Sequence, residues 1–448
     1  NGGNDRPLAE KLIGRGSEMS FHPAFMRVRL EDWINGLNGD WLISRQRFFG
    51  VPIPIWYPLN ASGEPDYENP IAPSSQQLPV DPSSDCPDGF TEDQRGKPGG
   101  FIGELDIMDT WATSSLTPQL AGGWLSNPEL FDKVFPYDLR PQGQDIIRTW
   151  LFSTLVRSEL EHDQVPWTNA AISGWILDPD RKKMSKSKGN VVVPNELLET
   201  HGSDAVRYWA ASARLGTDAA FDEGQMKIGR RLAIKLLNAA RFALSFEMPS
   251  GVTEVTEPID KAMLARLREV VGTASKAFEN YDHTKALETT ETFFWTFTDD
   301  YLELVKERAY SQEGYTPEEI GSAVLALREA LGVIVRLLAP FLPFATEEVW
   351  SWWQEGSVHQ AAWPSPDELP EGTAELLAAA SEALIAIRKS KTDQKLSMKA
   401  EIETMVLQGP AVLSQAQRDL AAVGRIANLT LEPADKVAIS SMEFAEQQ

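Results

Sequence analysis

Three stretches in the second half of the chain carry apolar residues at helical spacing. The members of each stretch fall on one face of a helix: Leu264, Leu267, Val271, Ala274 and Phe278; Phe294, Phe297, Tyr301 and Leu304; and Leu327, Leu331, Ile334 and Leu338. We therefore expect the chain after Gly224 to form an antiparallel helix bundle. The prolines of "APFLPFATEEVW", residues 339–350, end the third helix, and Thr346 is suited to cap the next.

The pattern before this bundle is different. From Phe101 to about Asp222, short β-prone runs alternate with amphipathic helices, which is typical of a parallel α/β sheet. "NAAISGWILD", residues 169–178, predicts one buried strand, and the segment that begins at Pro194 or Asn195 predicts a helix that stops at Gly202. From about residue 371 onward, a helix, a strand ("AEIETMVLQG"), a second helix and another strand ("IANLTLEP") predict a small α/β domain.

Composition limits the possible function classes. With 448 residues and 42% hydrophobic content the chain can bury large cores, and it shows neither a membrane-spanning apolar run nor a secretory signal at its start. We expect a cytoplasmic protein, without a membrane association. The single Cys86 and the five scattered histidines argue against a metal site built from Cys and His. The net charge of −23 argues against indiscriminate nucleic-acid binding, so any polyanion requires a local basic patch.

One such patch is "DPDRKKMSKSKGNVV", residues 178–192, with five Lys or Arg between positions 181 and 188. A lysine-rich loop is most often a solvated surface. This one follows a predicted strand, and ligands of open α/β sheets lie beyond the carboxyl ends of the strands. Small residues at Ser185, Ser187 and Gly189 allow a backbone to close around phosphates. The loop is therefore predicted to be a movable clamp for a triphosphate.

Four segments resemble a known family. "KMSKS", residues 183–187, is identical to the signature loop of class I aminoacyl-tRNA synthetases. "GDWLISRQRFFGVPIPIWY", "ELDIMDTWATSSL" and "LRPQGQDIIRTWLFSTL" resemble segments of the valyl, isoleucyl and leucyl branch. The sequences "DTWATSSLTPQ" and "DIIRTW" are most similar to those of archaeal-type valyl-tRNA synthetases, which also occur in some bacteria. The resemblance covers essentially the whole chain.

The resemblance implies roles in amino-acid activation. Lys183 and Lys186 would contact the β- and γ-phosphates of ATP, bound with Mg²⁺, while Ser185 and Ser187 shape the loop. The remaining implied site residues surround the ribose and the amino acid: Gly143 and Asp145 beside both, with Trp111 and Ile146 as walls of the aliphatic pocket. Core packing is the alternative for Trp111 and Ile146, and Arg148 is a rival partner for Asp145.

The resemblance also implies contacts with tRNA. In "QMKIGRRLAIKLLNAARFAL", residues 225–244, the basic residues have no acid beside them in the sequence. Lys235, Asn238, Arg241 and Phe242 are the candidates, through phosphate pairing and base stacking. A helix with a solvated basic face is an equal alternative.

The implied fold class is α/β plus all-α: the second half of a split Rossmann fold, an antiparallel anticodon-binding bundle and a small C-terminal α/β domain. The expected segments are the end of an editing insertion with its return segment (1–40), a loop-rich insertion with a small β-ribbon (41–100), the catalytic half-domain (101–224), the bundle (225–370) and the terminal domain (371–448). The family's His-x-Gly-His signature is absent from this sequence, so we expect the chain alone to lack full activity.

The expected reaction is the ATP-dependent ligation of valine to tRNA(Val) through valyl-adenylate, by a parent protein that is monomeric. Three alternatives stay open from the sequence. The first is isoleucyl or leucyl specificity, and the second is a tRNA-binding module without catalysis. The third is an unrelated phosphate-binding α/β protein, which would leave the four matching segments unexplained.

Overall fold

The computed structural model describes residues 6–310 and 314–445. The chain divides into two compact units: residues up to 175 together with 215–218 form the first, and residues 176–214 together with those from 219 onward form the second. The division falls inside the segment 101–224. Within the described residues, no helix is both long and apolar enough to cross a membrane.

The first unit is built around a three-stranded parallel sheet. Its helices and strands are α1 Arg6–Glu18, β1 Ser20–His22, α2 Arg27–Gly36, β2 Ser44–Arg45, β3 Trp56–Pro58, β4 Phe101–Gly103, β5 Ile107–Met108, α3 Thr110–Ser114, α4 Thr117–Gly122, α5 Pro128–Val134, β6 Tyr137–Gly143, α6 Phe152–His162 and β7 Trp167–Ser173. The strand order is β1-β7-β6. The buried residues of its core include Leu12, Phe21, Leu30, Ile147, Leu155 and Ile172.

Strand β1 was not predicted, because three residues are too few to show a period. Phe21 nevertheless pairs with Ala170 of the central strand, so part of the segment 1–40 belongs to this sheet. The β-ribbon expected in the loop-rich insertion is confirmed at its base, where β3 and β4 pair antiparallel. A π-helical segment, Ile147–Leu151, leads into α6.

The buried strand predicted over residues 169–178 is confirmed as far as Ser173, but its continuation to residue 178 is wrong. The structure has β7, which ends at Ser173, and a separate β8 Ile176–Leu177 that pairs with β9 Ala219–Ala220. The break lies at Gly174, where a Cβ would come within 2.3 Å of the Thr217 backbone. Only glycine tolerates such a close approach of two backbones.

The second unit is mostly helical. Its helices are α7 Pro194–His201, α8 Ser203–Ala211, α9 Glu223–Leu244, α10 Pro258–Glu279, α11 His283–Thr296, α12 Leu302–Ala309, α13 Pro317–Leu338, α14 Pro343–Trp350, α15 Glu375–Asp393 and α16 Gln417–Gly424. The predicted apolar faces are buried, with Leu264, Phe294 and Leu327 fully enclosed. A second π-helical segment, Phe297–Tyr301, joins α11 to α12. The predicted start of α7 and stop at Gly202 are confirmed.

The predicted cap at Thr346 is wrong. Helix α14 begins at Pro343, and Thr346 lies inside it, where its hydroxyl donates to the Leu342 carbonyl at 2.8 Å. The buried carboxylate of Asp204 accepts from the backbone N–H groups of Phe344 and Ala345 instead, at 3.1 and 2.7 Å. A cap supplied from a distant part of the chain leaves no local sequence signal.

The end of the chain forms a second sheet. Strands β10 Ile402–Gly409, β11 Ile426–Pro433 and β12 Ala438–Phe444 pair in the order β11-β10-β12. The first two were predicted and β12 was not. A buried ion cluster ties this region to the bundle, because the Arg308 guanidinium lies 2.8 Å from an Asp260 oxygen and 3.2 Å from an Asp419 oxygen. Removing one member would leave an uncompensated buried charge.

Candidate functional site

The lysine-rich segment forms a closed loop, residues 178–190, here termed the Asp178 loop. Asp178 is buried directly after β8. One of its oxygens accepts from the Lys182 N–H at 2.7 Å, and the other accepts from the Asn190 amide at 2.8 Å. Asn190 in turn accepts from the Ser185 N–H at 2.9 Å. Two side chains therefore join the start, middle and end of the loop.

Charge and backbone geometry follow from this closure. The donated hydrogen bonds, first from the Lys182 backbone and then from Asn190, hold the pKa of Asp178 below its usual value. Arg181 and Gly189 adopt positive φ angles of 61° and 66°, which tightens the turns. Lys183 and Ser187 are exposed, and the Ser185 and Ser187 hydroxyls lie 3.3 Å apart. The side chain of Lys186 lies outside what the structure describes.

In the first unit, three predicted site residues occupy one turn at the carboxyl end of β6. Gly143 ends the strand, and Asp145 and Ile146 follow in a 3₁₀ turn. A Cβ on Gly143 would lie 2.7 Å from the Asp145 carboxylate, so glycine leaves room for that side chain. Asp145 is exposed and, among the described residues, makes no ion pair with Arg148 or any other cation. The position suits a carboxylate that binds a charged ligand.

Trp111 lies on α3, half-buried. The Asp109 side chain caps this helix by accepting from the Trp111 N–H at 2.8 Å, and it pairs with Arg45 at 2.9 Å. Strands β2 and β5 also pair, Ser44 with Met108. The structure thus brings together two of the segments that carry the family resemblance, "LISRQ" and "DIMDTW".

The first unit also contains an apolar cavity of about 250 Å³ between α2, α3 and α6. Trp33, Trp41 and Phe152 are among its walls. None of the predicted amino-acid pocket residues Trp111, Asp145 and Ile146 lines it. This cavity is therefore distinct from the predicted pocket.

Three of the four predicted tRNA residues meet at a second cavity, of about 390 Å³, in the helical unit. It is lined by Lys235, Asn238, Ala239 and Phe242 of α9, by Thr298, and by Leu302, Glu303, Lys306 and Tyr310 of α12 and its end. The α9 residues recur at helical spacing on one face. Arg241 lies on another face, with its guanidinium 5.4 Å from the Trp352 ring, so three of the four predicted residues line the cavity and one does not.

Charges at this bundle cavity are balanced. The Lys235 ammonium pairs with Asp299 at 2.8 Å, and Lys306 pairs with Glu303 at 2.6 Å. Lys235 of the basic helix α9 therefore pairs with an acid. The sequence of α9 did not indicate this pair, because Asp299 comes from another helix. The Phe242 and Tyr310 rings lie 5.7 Å apart nearly at right angles. Aromatic faces beside two cations suit an unstacked nucleobase and its phosphate.

Four of these residues were not predicted. Asp178 and Asn190 close the Asp178 loop. Their positions on either side of the lysine run were the sequence signal that could have predicted this closure. Lys306 and Tyr310 complete the bundle cavity from a helix whose sequence showed only an apolar face. Within the described residues, no three His, Cys, Asp or Glu side chains are grouped as metal ligands.

Comparisons with known proteins cover both units. Residues 4–222 match tRNA synthetases class I (I, L, M and V), and residues 260–406 match the anticodon-binding domain of tRNA ligases. The chain is 63% identical over 445 residues to a valine--tRNA ligase of Thermobifida fusca (strain YX), covering 97% of this chain and 50% of that protein. It is 59% identical over 458 residues to a valine--tRNA ligase of Leifsonia xyli subsp. xyli (strain CTCB07), covering 100% and 53%.

The chain therefore spans about half the length of the curated relatives it matches. Among solved structures, it resembles the LeuRS chain in the ternary complex of Agrobacterium radiobacter K84 agnB2 LeuRS, tRNA and LeuAMS. The TM-score is 0.55 at 20% sequence identity, and the match covers 83% of this chain and 44% of that one. At this identity the likeness concerns the fold.

Proposed function

Because this chain belongs to the class I tRNA synthetases, we propose that the whole protein ligates valine to tRNA(Val) through a valyl-adenylate intermediate. Valine, tRNA(Val) and ATP with its Mg²⁺ are the substrates. The observation that carries the proposal is the Asp178 loop, a lysine-rich segment whose ends are joined by Asp178 and Asn190. The 63% identity to a valine--tRNA ligase supports the choice of valine.

The first step is attack of a valine carboxylate oxygen on the α-phosphorus of ATP, with release of pyrophosphate. Negative charge builds up on the leaving pyrophosphate, and Lys183 and Lys186 neutralise it. Ser185 and Ser187 shape the loop between them. Closure by Asp178 sets the loop's backbone before the substrate arrives, so less ordering is required in the transition state.

Residues of the first unit take the amino acid and the ribose. Asp145, exposed and without an ion pair in the described part of the chain, binds the valine ammonium, and Gly143 lets the ribose approach. Trp111 and Ile146 wall the aliphatic side chain. An apolar wall excludes larger side chains but discriminates only weakly against isosteric threonine.

The second step transfers valine to the 2′-hydroxyl of the terminal adenosine of tRNA(Val), with release of AMP. The bundle cavity binds the anticodon loop, with Phe242 and Tyr310 stacking on a base. Lys235, Asn238 and Lys306 contact its polar groups. Arg241 lies beside the cavity on the α9 surface and pairs with phosphate.

These roles suggest an assignment of the segments. The parallel strands β6 and β7 belong to the second half of a split Rossmann fold, residues 101–224 of the catalytic domain, and β1 from the return segment adds to the same sheet. Residues 225–370 are the anticodon-binding bundle, and the segments 1–40, 41–100 and 371–448 retain the roles given above. We place the protein in the cytoplasm as a monomer, in keeping with its single cysteine.

Amino-acid-dependent exchange of pyrophosphate into ATP tests this function. The assay uses a protein of the relatives' full length that carries this sequence, with valine, isoleucine or leucine. We expect valine alone to drive exchange, and Lys186→Ala to lower its rate about 10²–10³-fold. Asp180→Asn, which removes an exposed carboxylate from the same loop, should change it less than twofold.

Exchange driven by isoleucine or leucine would contradict the specificity. Absence of exchange with every amino acid, together with retained tRNA binding, would replace the proposal by a tRNA-binding module without catalysis. An unchanged exchange rate in Lys186→Ala would show that the loop does not act as a phosphate clamp.

A further inference from the structure

Near its end the chain has a second lysine-rich segment, which the proposed function does not use. Residues 388–399 read "RKSKTDQKLSMK", with five basic residues and one acid in a chain of net charge −23. The segment comprises the last turns of α15 and the turn that follows, and it falls within the residues that match the anticodon-binding domain. We call residues 389–400 the Lys391 loop.

A buried lysine shapes this loop. Lys391 is 2% exposed, and its ammonium donates to the carbonyls of Met398, Ala400 and Gly424 at 3.1, 2.8 and 2.8 Å. Three carbonyl acceptors satisfy all three N–H bonds of the ammonium. The segment after α15 is thereby folded back onto the helix end.

The other lysines of the loop point to solvent. Lys389, Lys395 and Lys399 are exposed, and within the described residues none of them makes an ion pair. Lys395 also holds a left-handed backbone, with φ at 58°. A lysine there costs about 1 kcal/mol relative to glycine, which indicates that the side chain at this position serves something other than the turn.

This surface continues from the bundle cavity. Arg388 donates to the Asp299 carbonyl at 2.7 Å and lies 3.5 Å from an Asp300 oxygen. Asp299 also pairs with Lys235 of the cavity. Lys389 follows Arg388 directly in the sequence. Helix α15 ends at Asp393, about 8 Å from Arg388 along the helix axis, and Lys395 and Lys399 follow that end.

We propose that Lys389, Lys395 and Lys399 bind backbone phosphates of the tRNA whose anticodon loop enters the bundle cavity, and that Lys391 is the positioning residue that holds them. This inference rests on the proposed function. An RNA partner is favoured over an acidic protein because the surface adjoins a cavity with two aromatic rings and two cations. Phosphates spaced along a strand also require cations that are exposed and without ion-pair partners.

The test is tRNA binding by this chain, measured by fluorescence anisotropy with a tRNA(Val) transcript from 50 to 300 mM salt. The variant is Lys389→Gln/Lys395→Gln/Lys399→Gln. The matched control, Lys97→Gln/Lys261→Gln/Lys285→Gln, changes net charge equally at three exposed lysines that, in the described part of the chain, also lack ion pairs. We expect roughly 10–100-fold weaker binding for the variant and a salt slope shallower by about 2–3, with the control within about twofold of wild type.

Each other outcome has a defined meaning. Equal losses in the two triple variants would overturn the inference, because net charge alone would then explain binding. Wild-type affinity in the loop variant would overturn it too and leave the proposed function intact. Failure of the wild-type chain to bind any tRNA would overturn the inference and the anticodon role of the bundle cavity, whereas pyrophosphate exchange by the full-length protein tests the proposed function separately. Equal competition by poly-glutamate and tRNA would show a general anion surface and reject RNA as the partner.

Discussion

Two loops of the second unit expose several lysines, and each is shaped by one buried charged side chain. The two buried side chains have opposite charges: Asp178 is an anion and Lys391 is a cation. In the Asp178 loop, a carboxylate accepts from backbone and amide N–H groups. In the Lys391 loop, an ammonium donates to backbone carbonyls. Each loop also holds a basic residue at positive φ, Arg181 in one and Lys395 in the other.

The opposite charges make the two loops respond differently to pH. The Asp178 carboxylate loses its charge when it is protonated, and it then attracts the N–H donors that close the loop less strongly. The Lys391 ammonium stays charged in acid and keeps its three carbonyl acceptors. We therefore expect acid to loosen the Asp178 loop and to leave the Lys391 loop a fixed surface.

The largest expected effect is on the free energy of unfolding, from a substitution in the Lys391 loop. Lys391→Met leaves three carbonyls without their donor, and it should lower the free energy of unfolding by about 3 kcal/mol in urea denaturation. Lys389→Met, at an exposed position in the same helix, should change it by less than about 0.5 kcal/mol. Equal stability of the two variants would mean that the ammonium does not hold the loop.

Low pH should affect the Asp178 loop and leave the Lys391 loop unchanged. The pKa of Asp178 is lowered in the folded state by its N–H donors, so its contribution is present above the ordinary aspartate value of 3.8 and is lost as the pH falls through the lower, folded value. Hydrogen exchange of the Lys182 and Ser185 amides, corrected for intrinsic rates, should quicken several-fold once the pH falls below the folded pKa of Asp178. The Leu396 amide of the Lys391 loop should keep its protection, and parallel loss in both loops would indicate global unfolding.

The smallest effect concerns backbone strain. Lys395→Gly relieves a positive φ angle and should raise the free energy of unfolding by about 0.5–1 kcal/mol. The same change should make the salt slope for tRNA binding shallower by about 0.7–0.9, the share of one phosphate contact. Lys395→Asn is the control that keeps a side chain in the left-handed backbone. A stability gain without any change in the salt slope would show that Lys395 does not contact the RNA.

Much of this molecule could be predicted from its sequence. The resemblance to class I synthetases is confirmed by the comparisons. The buried helical faces and the strands β10 and β11 are confirmed, and they could be predicted because each is long enough for its period to appear. Helix α7 is confirmed as well, and its start and stop residues made it predictable. The catalytic and ligand-binding roles of the site residues stay predictions.

The features that escaped prediction arise from distant contacts. Strand β1 and the cap on α14 depend on partners far along the chain, Ala170 and Asp204. The break after Ser173 depends on the approach of Thr217 to Gly174. The Lys306 and Tyr310 side of the bundle cavity becomes visible only when α9 and α12 are packed.

The π-helical segment Phe297–Tyr301 sets how far along the sequence Lys306 and Tyr310 of the bundle cavity lie from α11. Such a segment carries one residue more than an α-turn needs, and it lies between α11 and α12. The wider turn absorbs this residue, so α12 keeps the rotational phase that it would have after a regular helix. Deleting the extra residue would leave Lys306 and Tyr310 facing α9, whereas deleting a residue in the regular part of α12 before Lys306 would turn both side chains about 100° away. One stretch of this cavity wall therefore tolerates a change of length that the next turn does not.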